Sequence, residues 1–437
     1  MQQAIRKPVM KLKTSKAYPW IVVGLLWVVA LLNYMDRQML STMREAMQID
    51  IAELESAVNF GRLMAIFLWI YGCISPFAGA IADRISRKWL IIGSLAVWSG
   101  VTLAMGFCTT YNQIYVLRAI MGISEALYIP AGLSLIADYF TGSSRSLAVG
   151  IHMTGLYLGQ AVGGFGATIA AAFSWQQTFL CFGIVGVAYA ALLCILLEDR
   201  RSERLNNGVE DNAAMEACDS AAGAATAQKP AAEPLWKSFA LIFSNISFWT
   251  ILFFFATSSL PGWSTKNWLP TLFAESLGIP MSQAGPLSTI TIAVSSFFGV
   301  LIGGSLSDRW VRKNLCGRIY TSAIGLALMI PALVFIGLGS GLVSAIGAGV
   351  CFGVGYGMFD TNNMPILCQF VSSRHRATAY GIINMTGVFF GALITQVLGR
   401  WADQGNLGVG FALMAAALGI ALLLQLTVLR PTTDNME

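Results

Sequence analysis

Ionisable side chains occur inside two apolar stretches in the first half of the chain. The stretch WIVVGLLWVVALLNYMDRQML contains Asn33, Asp36 and Arg37, whose spacing places all three on one face of a helix. The stretch LRAIMGISEALYIP contains Arg118 and Glu125, seven residues apart and therefore close to one helical face. Each stretch combines a carboxylate with a guanidinium in a segment that otherwise suits a lipid environment.

Two stretches in the second half show the same feature. LPGWSTKNWLP contains Lys266, and GYGMFDTNNMP contains Asp360. Aromatic and amide side chains next to these charges can pack against a ligand or form hydrogen bonds with it. They are therefore candidate binding residues: Trp263, Asn267, Asn362 and Asn363.

The charges favour binding of an anion together with binding of protons. A charge at the centre of a bilayer costs ~2.5 kcal/mol or more, so an ionisable residue there indicates a function. Arg37, Arg118 and Lys266 suit a carboxylate ligand, because cationic side chains donate charge-assisted hydrogen bonds to carboxylates. Asp36 and Glu125 are candidate proton-binding residues, because burial and a neighbouring cation act in opposite directions on a carboxyl group.

Structural interpretations of the same residues stay open at this point. Asp36 and Arg37 would form an ion pair that closes the outer end of the first stretch, or lie near the headgroups. Arg118 would only hold Glu125 or a backbone carbonyl group. Lys266 would extend towards the lipid headgroups. Asp360 is either a further proton-binding residue or a polar group that is satisfied where a helix is interrupted.

The composition predicts an integral membrane protein. Of the 437 residues, 56% are hydrophobic and only 11% are charged, whereas soluble domains have about 25% charged residues. Apolar stretches of about 20 residues cross a bilayer as helices, because every backbone polar group must be satisfied internally. We predict an all-α membrane protein with twelve such spans, centred near residues 30, 70, 98, 125, 158, 186, 257, 295, 327, 356, 388 and 418.

Basic residues and a low-complexity segment predict the topology and the domains. Lys and Arg precede the first span and follow every even-numbered span, so the positive-inside rule predicts that both termini are cytoplasmic. An Ala-rich polar segment with few bulky apolar residues lies between the sixth and seventh spans, as is typical of a linker. The predicted divisions are an N-terminal tail (1–17), a six-helix bundle (18–198), a cytoplasmic linker (199–236), a second six-helix bundle (237–430) and a C-terminal tail (431–437).

The two halves repeat short motifs in the same order. GAIADRISRK after the second span corresponds to GSLSDRWVRK after the eighth, and RSLAVG corresponds to RATAYG. Carboxylates and guanidinium groups in these connections can form ion pairs that hold one end of the bundles closed. The candidate gating residues are Asp83, Arg84, Arg87, Arg145, Asp308, Arg309, Arg312 and Arg376.

The paired loops resemble the signature of the major facilitator superfamily, Gly-x-x-x-Asp-Arg-x-Gly-Arg-Arg/Lys. The sequence departs from it at Ser86 and Val311. The resemblance extends over the whole chain and implies two six-helix bundles related by pseudo-twofold symmetry. It further implies that spans 1, 4, 7 and 10, which carry the charges described above, line a central cavity.

Tyr34-Met35-Asp36-Arg37 and the segment from Arg118 to Glu125 resemble the anion:cation symporter branch of that superfamily. This branch includes sugar-acid/proton symporters and sialin-like carriers. The resemblance implies proton sites at the two carboxyl groups, anion binding or gating by the two arginines, and a substrate contact by Asn384. Tyr34 is a further candidate substrate-binding residue. Lys266 and the Asp360 segment are departures from this branch.

The fifth span carries small residues at a spacing of four, Gly155, Gly159 and Gly163, with Gln160 among them. This stretch is similar to the helix-5 motif of drug/proton antiporters, but Gln160 replaces a proline of that motif. Small residues at this spacing let helices approach closely, so we interpret the glycines as packing residues and Gln160 as a candidate substrate-binding residue.

The sequence thus predicts a monomeric secondary transporter that moves a small organic anion, such as a uronate, an aldonate or a sialic acid, together with protons. The alternatives are a Spinster-like carrier of lipids or organic anions, whose first helix has a similar Asn-Tyr-Met-Asp-Arg run, and a proton-coupled efflux antiporter. We expect no enzymatic activity, metal, cofactor or nucleic-acid partner, since the chain has two histidines and no phosphate loop, metal-ligand cluster or Ser/His/Asp set.

Overall fold

The computed structural model describes residues 15, 17–140, 144–199, 243–244, 246–371 and 376–431. The two tails and the linker therefore lie almost entirely outside the described residues. Within the described ranges the chain is helical and contains no β-strand, which confirms the predicted all-α class. The long helices are α1 (Tyr18–Thr42), α2 (Ala57–Arg84), α3 (Arg87–Met105), α4 (Tyr111–Tyr139), α5 (Ser144–Gly163), α6 (Trp175–Leu196), α7 (Ile246–Leu277), α8 (Met281–Val311), α9 (Gly317–Leu338), α10 (Leu342–Asp360), α11 (Arg376–Asp403) and α12 (Leu407–Val428).

Eleven helical segments in the described part of the chain are long and apolar enough to cross a membrane. The predicted fifth span is divided into α5 and a short helix, Gly166–Ala172. The division occurs where α5 meets α8, since a Cβ atom at Gly164 would lie 1.9 Å from Thr289 Oγ1. A second short helix, Asn363–Phe370, continues α10 after a turn at residues 361–362.

The helix contacts of the first half are repeated in the second half. In the N-terminal bundle α1 packs on α5, α2 on α4, and α3 on both α4 and α6. In the C-terminal bundle α7 packs on α11, α8 on α10, and α9 on both α10 and α12. Each contact has its counterpart six helices later, so the repeated sequence motifs correspond to a repeated packing arrangement.

The contact between α1 and α5 depends on glycine. A Cβ atom would lie 2.6 Å from the carbonyl oxygen of Trp27 if placed at Gly155, and 2.3 Å from that of Leu31 if placed at Gly159. These distances leave no room for a side chain, so the interpretation of the glycines as packing residues is confirmed. The close approach fixes the position of α1, which carries Asp36 and Arg37.

We predict that Gly159→Ala lowers the thermal midpoint of the purified protein, because the added methyl group forces α5 away from α1. Overpacking of this kind costs about 1–3 kcal/mol. Gly150→Ala is the matched control on the same helix, because nothing lies within 4 Å of its Cβ position. Equal midpoints for the two variants would contradict the packing assigned to α5.

Candidate functional site

A buried ion pair joins α1 to α4 in the N-terminal bundle. Arg37 Nε donates a hydrogen bond to Glu125 Oε2, and the exposed side-chain fractions are 11% and 0%. The Arg37 guanidinium also lies 4.8–5.1 Å from the ring centroids of Tyr34, Phe67 and Tyr71. Cation–π contacts with these rings add to the stabilisation of the guanidinium by the carboxylate.

Asp36 and Arg118 complete a cluster of four charges around this ion pair. Asp36 accepts a hydrogen bond of 3.2 Å from Thr102 Oγ1 of α3, and the Arg118 guanidinium lies 4.7 Å from the centroid of Phe67. Both groups are within electrostatic range of Glu125. With all four groups ionised the cluster carries two positive and two negative charges, so its net charge is zero.

The C-terminal bundle contributes one cation from α7. Lys266 Nζ lies 4.8 Å from the ring centroid of Trp263 and 5.8 Å from that of Tyr356. No described residue accepts a hydrogen bond from Lys266 Nζ or forms an ion pair with it within 4.0 Å. Asp360 attracts Lys266 electrostatically, but its exposed carboxylate only accepts a 3.4 Å hydrogen bond from Asn363.

A small cavity lies where α1, α5 and α7 meet. Its volume of about 20 Å³ is room for about one water molecule. Arg37 and Lys266 approach it from opposite bundles, and only Arg37 has an anionic partner among the described residues. The lining residues are Tyr34, Arg37, Gln38, Gln160, Trp263, Lys266 and Asn267.

Gln38 is the lining residue that the sequence analysis missed. Its side-chain amide donates hydrogen bonds to the backbone oxygen of Lys266 at 2.8 Å and to Ser41 Oγ at 2.6 Å. Gln38 therefore links α1 to α7 across the two bundles. Its position four residues after Tyr34 on the same helical face was the signal available in the sequence.

Four other predicted binding residues do not line this cavity. Arg118 lies inside the N-terminal bundle and is 2% exposed. Asn362 donates a 2.8 Å hydrogen bond to the Met358 backbone oxygen at the turn that ends α10, and Asn363 contacts Asp360. The Asn384 amide donates a 3.0 Å hydrogen bond to Ser75 Oγ, which joins α11 to α2.

The candidate gating residues of the N-terminal bundle are only partly described. Arg87 forms a buried ion pair with Asp138 of α4, and Arg145 is also buried. The side chains of Asp83 and Arg84 lie outside the described residues.

In the C-terminal bundle, Arg376 donates 3.1 Å hydrogen bonds to the backbone oxygens of Val371 and Cys368. Asp308, Arg309 and Arg312 are exposed.

The two bundles meet at the end where α1 and α11 finish and where α2 and α8 begin, which we call the far end. Asp403, the last residue of α11, accepts hydrogen bonds from Ser56 Oγ (2.9 Å) and from the backbone N–H groups of Ala57 (2.5 Å) and Val58 (3.1 Å). These N–H groups begin α2 and have no partner within their own helix. The Asp403 carboxylate, from the C-terminal bundle, thus caps the start of α2 in the N-terminal bundle.

A further contact between the bundles joins α5 and its continuation to α8. Thr168 Oγ1 donates a 2.6 Å hydrogen bond to the Ser282 backbone oxygen, and the rings of Tyr157 and Phe297 lie 6.4 Å apart. All hydrogen bonds between described residues of the two bundles lie between the far end and the Asn384 contact described above. These hydrogen bonds therefore join the two bundles at the far end and along α2 and α11.

Comparison with known proteins identifies the family of this arrangement. A family model described as the Major Facilitator Superfamily matches residues 26–396. The probable galactarate/D-glucarate transporter GudP of Bacillus subtilis (strain 168) is 26% identical over 423 residues, covering 86% of this chain and 88% of that protein. The hexuronate transporter of Escherichia coli (strain K12) is 25% identical over 435 residues, covering 97% and 96% of the two chains.

Among solved structures, the chain resembles a bacterial homologue of the human lysosomal transporter Spinster in an inward-facing, occupied conformation. The TM-score is 0.71 with 18% sequence identity, over 96% of this chain and 99% of that chain. At this level of identity the likeness shows a common fold.

We predict that Asp403→Asn loosens the far end, because the neutral side chain loses charge-assisted hydrogen bonds to the start of α2. Hydrogen bonds to charged groups contribute about 1.5–3 kcal/mol, so hydrogen exchange at the Ala57 and Val58 amides should accelerate at least about tenfold. Glu55→Gln is the control, since the Glu55 side chain is in no hydrogen bond with a described residue. Unchanged exchange in Asp403→Asn, measured by mass spectrometry, would contradict the cap.

Proposed function

The chain belongs to the major facilitator superfamily, and we propose that it carries a small organic anion of the sugar-acid class across a membrane together with protons. It is a multi-pass membrane transporter and not an enzyme. The relatives that carry galactarate, glucarate and hexuronate in their names support the sugar-acid class. We further propose that the protein acts as a monomer in the cell membrane with both termini in the cytoplasm.

The charges and amides of the cavity support recognition of a hydroxylated anion. Arg37 and Lys266 supply positive charge from opposite bundles, and a carboxylate between them relieves their mutual repulsion. Gln160 and Asn267 also line the cavity. Their amide groups can donate hydrogen bonds to the hydroxyl groups of a substrate and accept hydrogen bonds from them. An uncharged or cationic drug would bring no negative charge to Lys266, which has no ion pair with a described residue, and this counts against the alternative of drug efflux.

The observation that carries the coupling proposal is the double position of Arg37. Its side chain lines the cavity and at the same time forms an ion pair with Glu125. A proton bound by Glu125 removes the negative charge that holds Arg37, so the guanidinium becomes available to a substrate carboxylate. The cluster with Asp36 and Arg118 then carries a net charge of +1, which one carboxylate neutralises. In this proposal Arg118 balances the carboxylates from inside the bundle and does not contact the substrate.

The contacts at the far end support alternating access by movement of the two bundles. The hydrogen bonds from the Ala57 N–H group to Asp403 and from Thr168 to Ser282 hold the far end closed. Both must break before substrate can enter there. With the linker in the cytoplasm, substrate and proton would enter from the far side and leave towards the linker. Asp360, which attracts Lys266 electrostatically, is a third proton-binding candidate in this scheme, after Glu125 and Asp36.

The proposal is tested by uptake into proteoliposomes of uronates, aldonates, aldarates and sialic acid, with and without an inward proton gradient. We expect at least one of these sugar acids to accumulate only when the gradient is present. Accumulation that ignores the pH gradient would contradict symport. Transport of cationic drugs without transport of any sugar acid would favour the efflux alternative.

We predict that Glu125→Gln abolishes proton-driven accumulation but retains exchange of labelled for unlabelled substrate. The amide still accepts a hydrogen bond from Arg37, but it no longer binds and releases a proton. Glu55→Gln, at a far-end carboxylate outside the charged cluster, should behave as wild type. Normal accumulation by the Glu125 variant would remove this residue from the coupling mechanism.

We predict that Lys266→Gln weakens substrate binding about tenfold, which corresponds to a loss of ~1.4 kcal/mol for one charge-assisted contact. Lys266→Arg should keep most of the affinity, because it keeps the positive charge. The measurement is the dissociation constant from isothermal titration of the purified variants. Equal affinity in the wild type and the Gln variant would mean that Lys266 extends away from the substrate.

A further inference from the structure

The loop motif shared by the two bundles is folded differently in each. In the N-terminal bundle, Arg87 is the first residue of α3 and its buried guanidinium pairs with Asp138. In the C-terminal bundle, α8 continues to Val311 and α9 begins only at Gly317. The corresponding Arg312 therefore lies in an additional turn and is exposed, where it has no ion pair with a described residue.

A change of partner explains why the second copy is displaced. Asp138 lies seven residues before Arg145, and the residue seven positions before Arg376 is Gln369. The neutral amide of Gln369 donates a 2.9 Å hydrogen bond to the Leu315 backbone oxygen, so it does not hold a guanidinium of the motif.

In the C-terminal bundle Arg318, not the motif residue Arg312, makes the contact that corresponds to that of Arg87. Arg87 Nη1 donates to the backbone oxygen of Ser134 at 3.4 Å, and Arg318 Nη1 donates to that of Pro365 at the same distance. Ser134 lies four residues before Asp138, and Pro365 lies four residues before Gln369, so the two residues occupy equivalent positions. Because Arg318 fills this role, the packing of the C-terminal bundle does not require the basic residues of the turn.

The displaced turn forms one side of a groove at the linker end of α8 and α9. The groove has a volume of about 240 Å³ and is lined by Trp310, Lys313, Asn314, Gly317 and Tyr320. The backbone N–H groups of Lys313 and Asn314 both donate to the Trp310 oxygen at 2.9 Å, which folds the turn tightly. A Cβ atom at Gly317 would lie 2.6 Å from the Trp310 carbonyl carbon, so only glycine fits there.

We propose that this groove binds the headgroup of an anionic phospholipid. Trp310 and Tyr320 are 37% and 42% exposed at the level where two membrane spans end, which is where Trp and Tyr concentrate at bilayer interfaces. Lys313 lines the groove and is exposed, so it adds positive charge to this surface. Basic pockets between membrane helices on the cytoplasmic side, where the proposed topology puts this groove, attract anionic headgroups. The exposed charges at the end of α8 and in the turn sum to +2, from Arg309, Arg312 and Lys313 against Asp308.

The aromatic walls distinguish a phospholipid from free phosphate. A phosphate ion needs only the cation, whereas a lipid also places its glycerol and upper acyl carbons against Trp310 and Tyr320. The proposal concerns the outer surface of the C-terminal bundle, so it does not depend on which substrate the central cavity binds.

The test is native mass spectrometry of the purified protein titrated with phosphatidylglycerol, with phosphatidylcholine as the neutral comparison. We expect wild-type protein to retain phosphatidylglycerol in preference to phosphatidylcholine. Lys313→Gln should weaken the tightest phosphatidylglycerol binding about fivefold. Lys88→Gln, at the same position of the motif in the N-terminal bundle, is the matched control and should leave that binding unchanged.

Trp310→Leu provides a second variant, which keeps the charge and removes the aromatic wall, and it should also weaken binding. Equal binding of phosphatidylglycerol by wild type, Lys313→Gln and Trp310→Leu would overturn the proposal. So would equal loss in Lys88→Gln, because the effect would then be general surface charge. Competition by inorganic phosphate at the concentration of the lipid would assign the groove to a free anion and would also overturn it.

Discussion

The ion pair between Arg37 and Glu125 is the interaction on which the rest of the proposed mechanism depends. Burying either charge alone is costly, and removal of one partner from a buried pair leaves the other uncompensated. Aromatic rings contact the Arg37 guanidinium, and Arg118 and Asp36 interact electrostatically with Glu125. Since Arg37 also lines the cavity, a change of charge at Glu125 acts directly on the place where an anion would bind.

Helix packing sets the geometry of this pair and the access to it. Glycines of α5 bring α1 against its neighbour at backbone distance, which fixes the helix that carries Arg37. The second bundle repeats the packing but not the charges, because α7 carries Lys266 and α10 carries the exposed Asp360. The cavity therefore receives a cation that is paired within its own bundle and a second cation that is not. In the proposed mechanism, a substrate carboxylate binds between these two cations.

The sequence was sufficient for the class of fold and for most residues of the cavity, because charges and amides in apolar helices are rare and conspicuous. Three-dimensional relations were harder to predict. Arg118 and Arg37 look equivalent as intramembrane arginines, but only the packing of α4 shows that Arg118 lies inside the bundle. Gln38 was missed because its role is a contact between bundles, to a backbone oxygen of α7. The interruption of α5 lies at its contact with α8, and a contact between bundles leaves no trace in the periodicity of the fifth span.

The most direct test of the central claim is whether the anion and the proton bind together. Purified protein in weakly buffered detergent solution is mixed with the sugar acid that shows pH-driven uptake, and proton uptake is followed with a pH indicator. We expect uptake of about one proton per monovalent anion bound, because binding of the two ligands is thermodynamically linked. Anion binding of normal affinity without any proton uptake would contradict the role assigned to the Arg37–Glu125 pair.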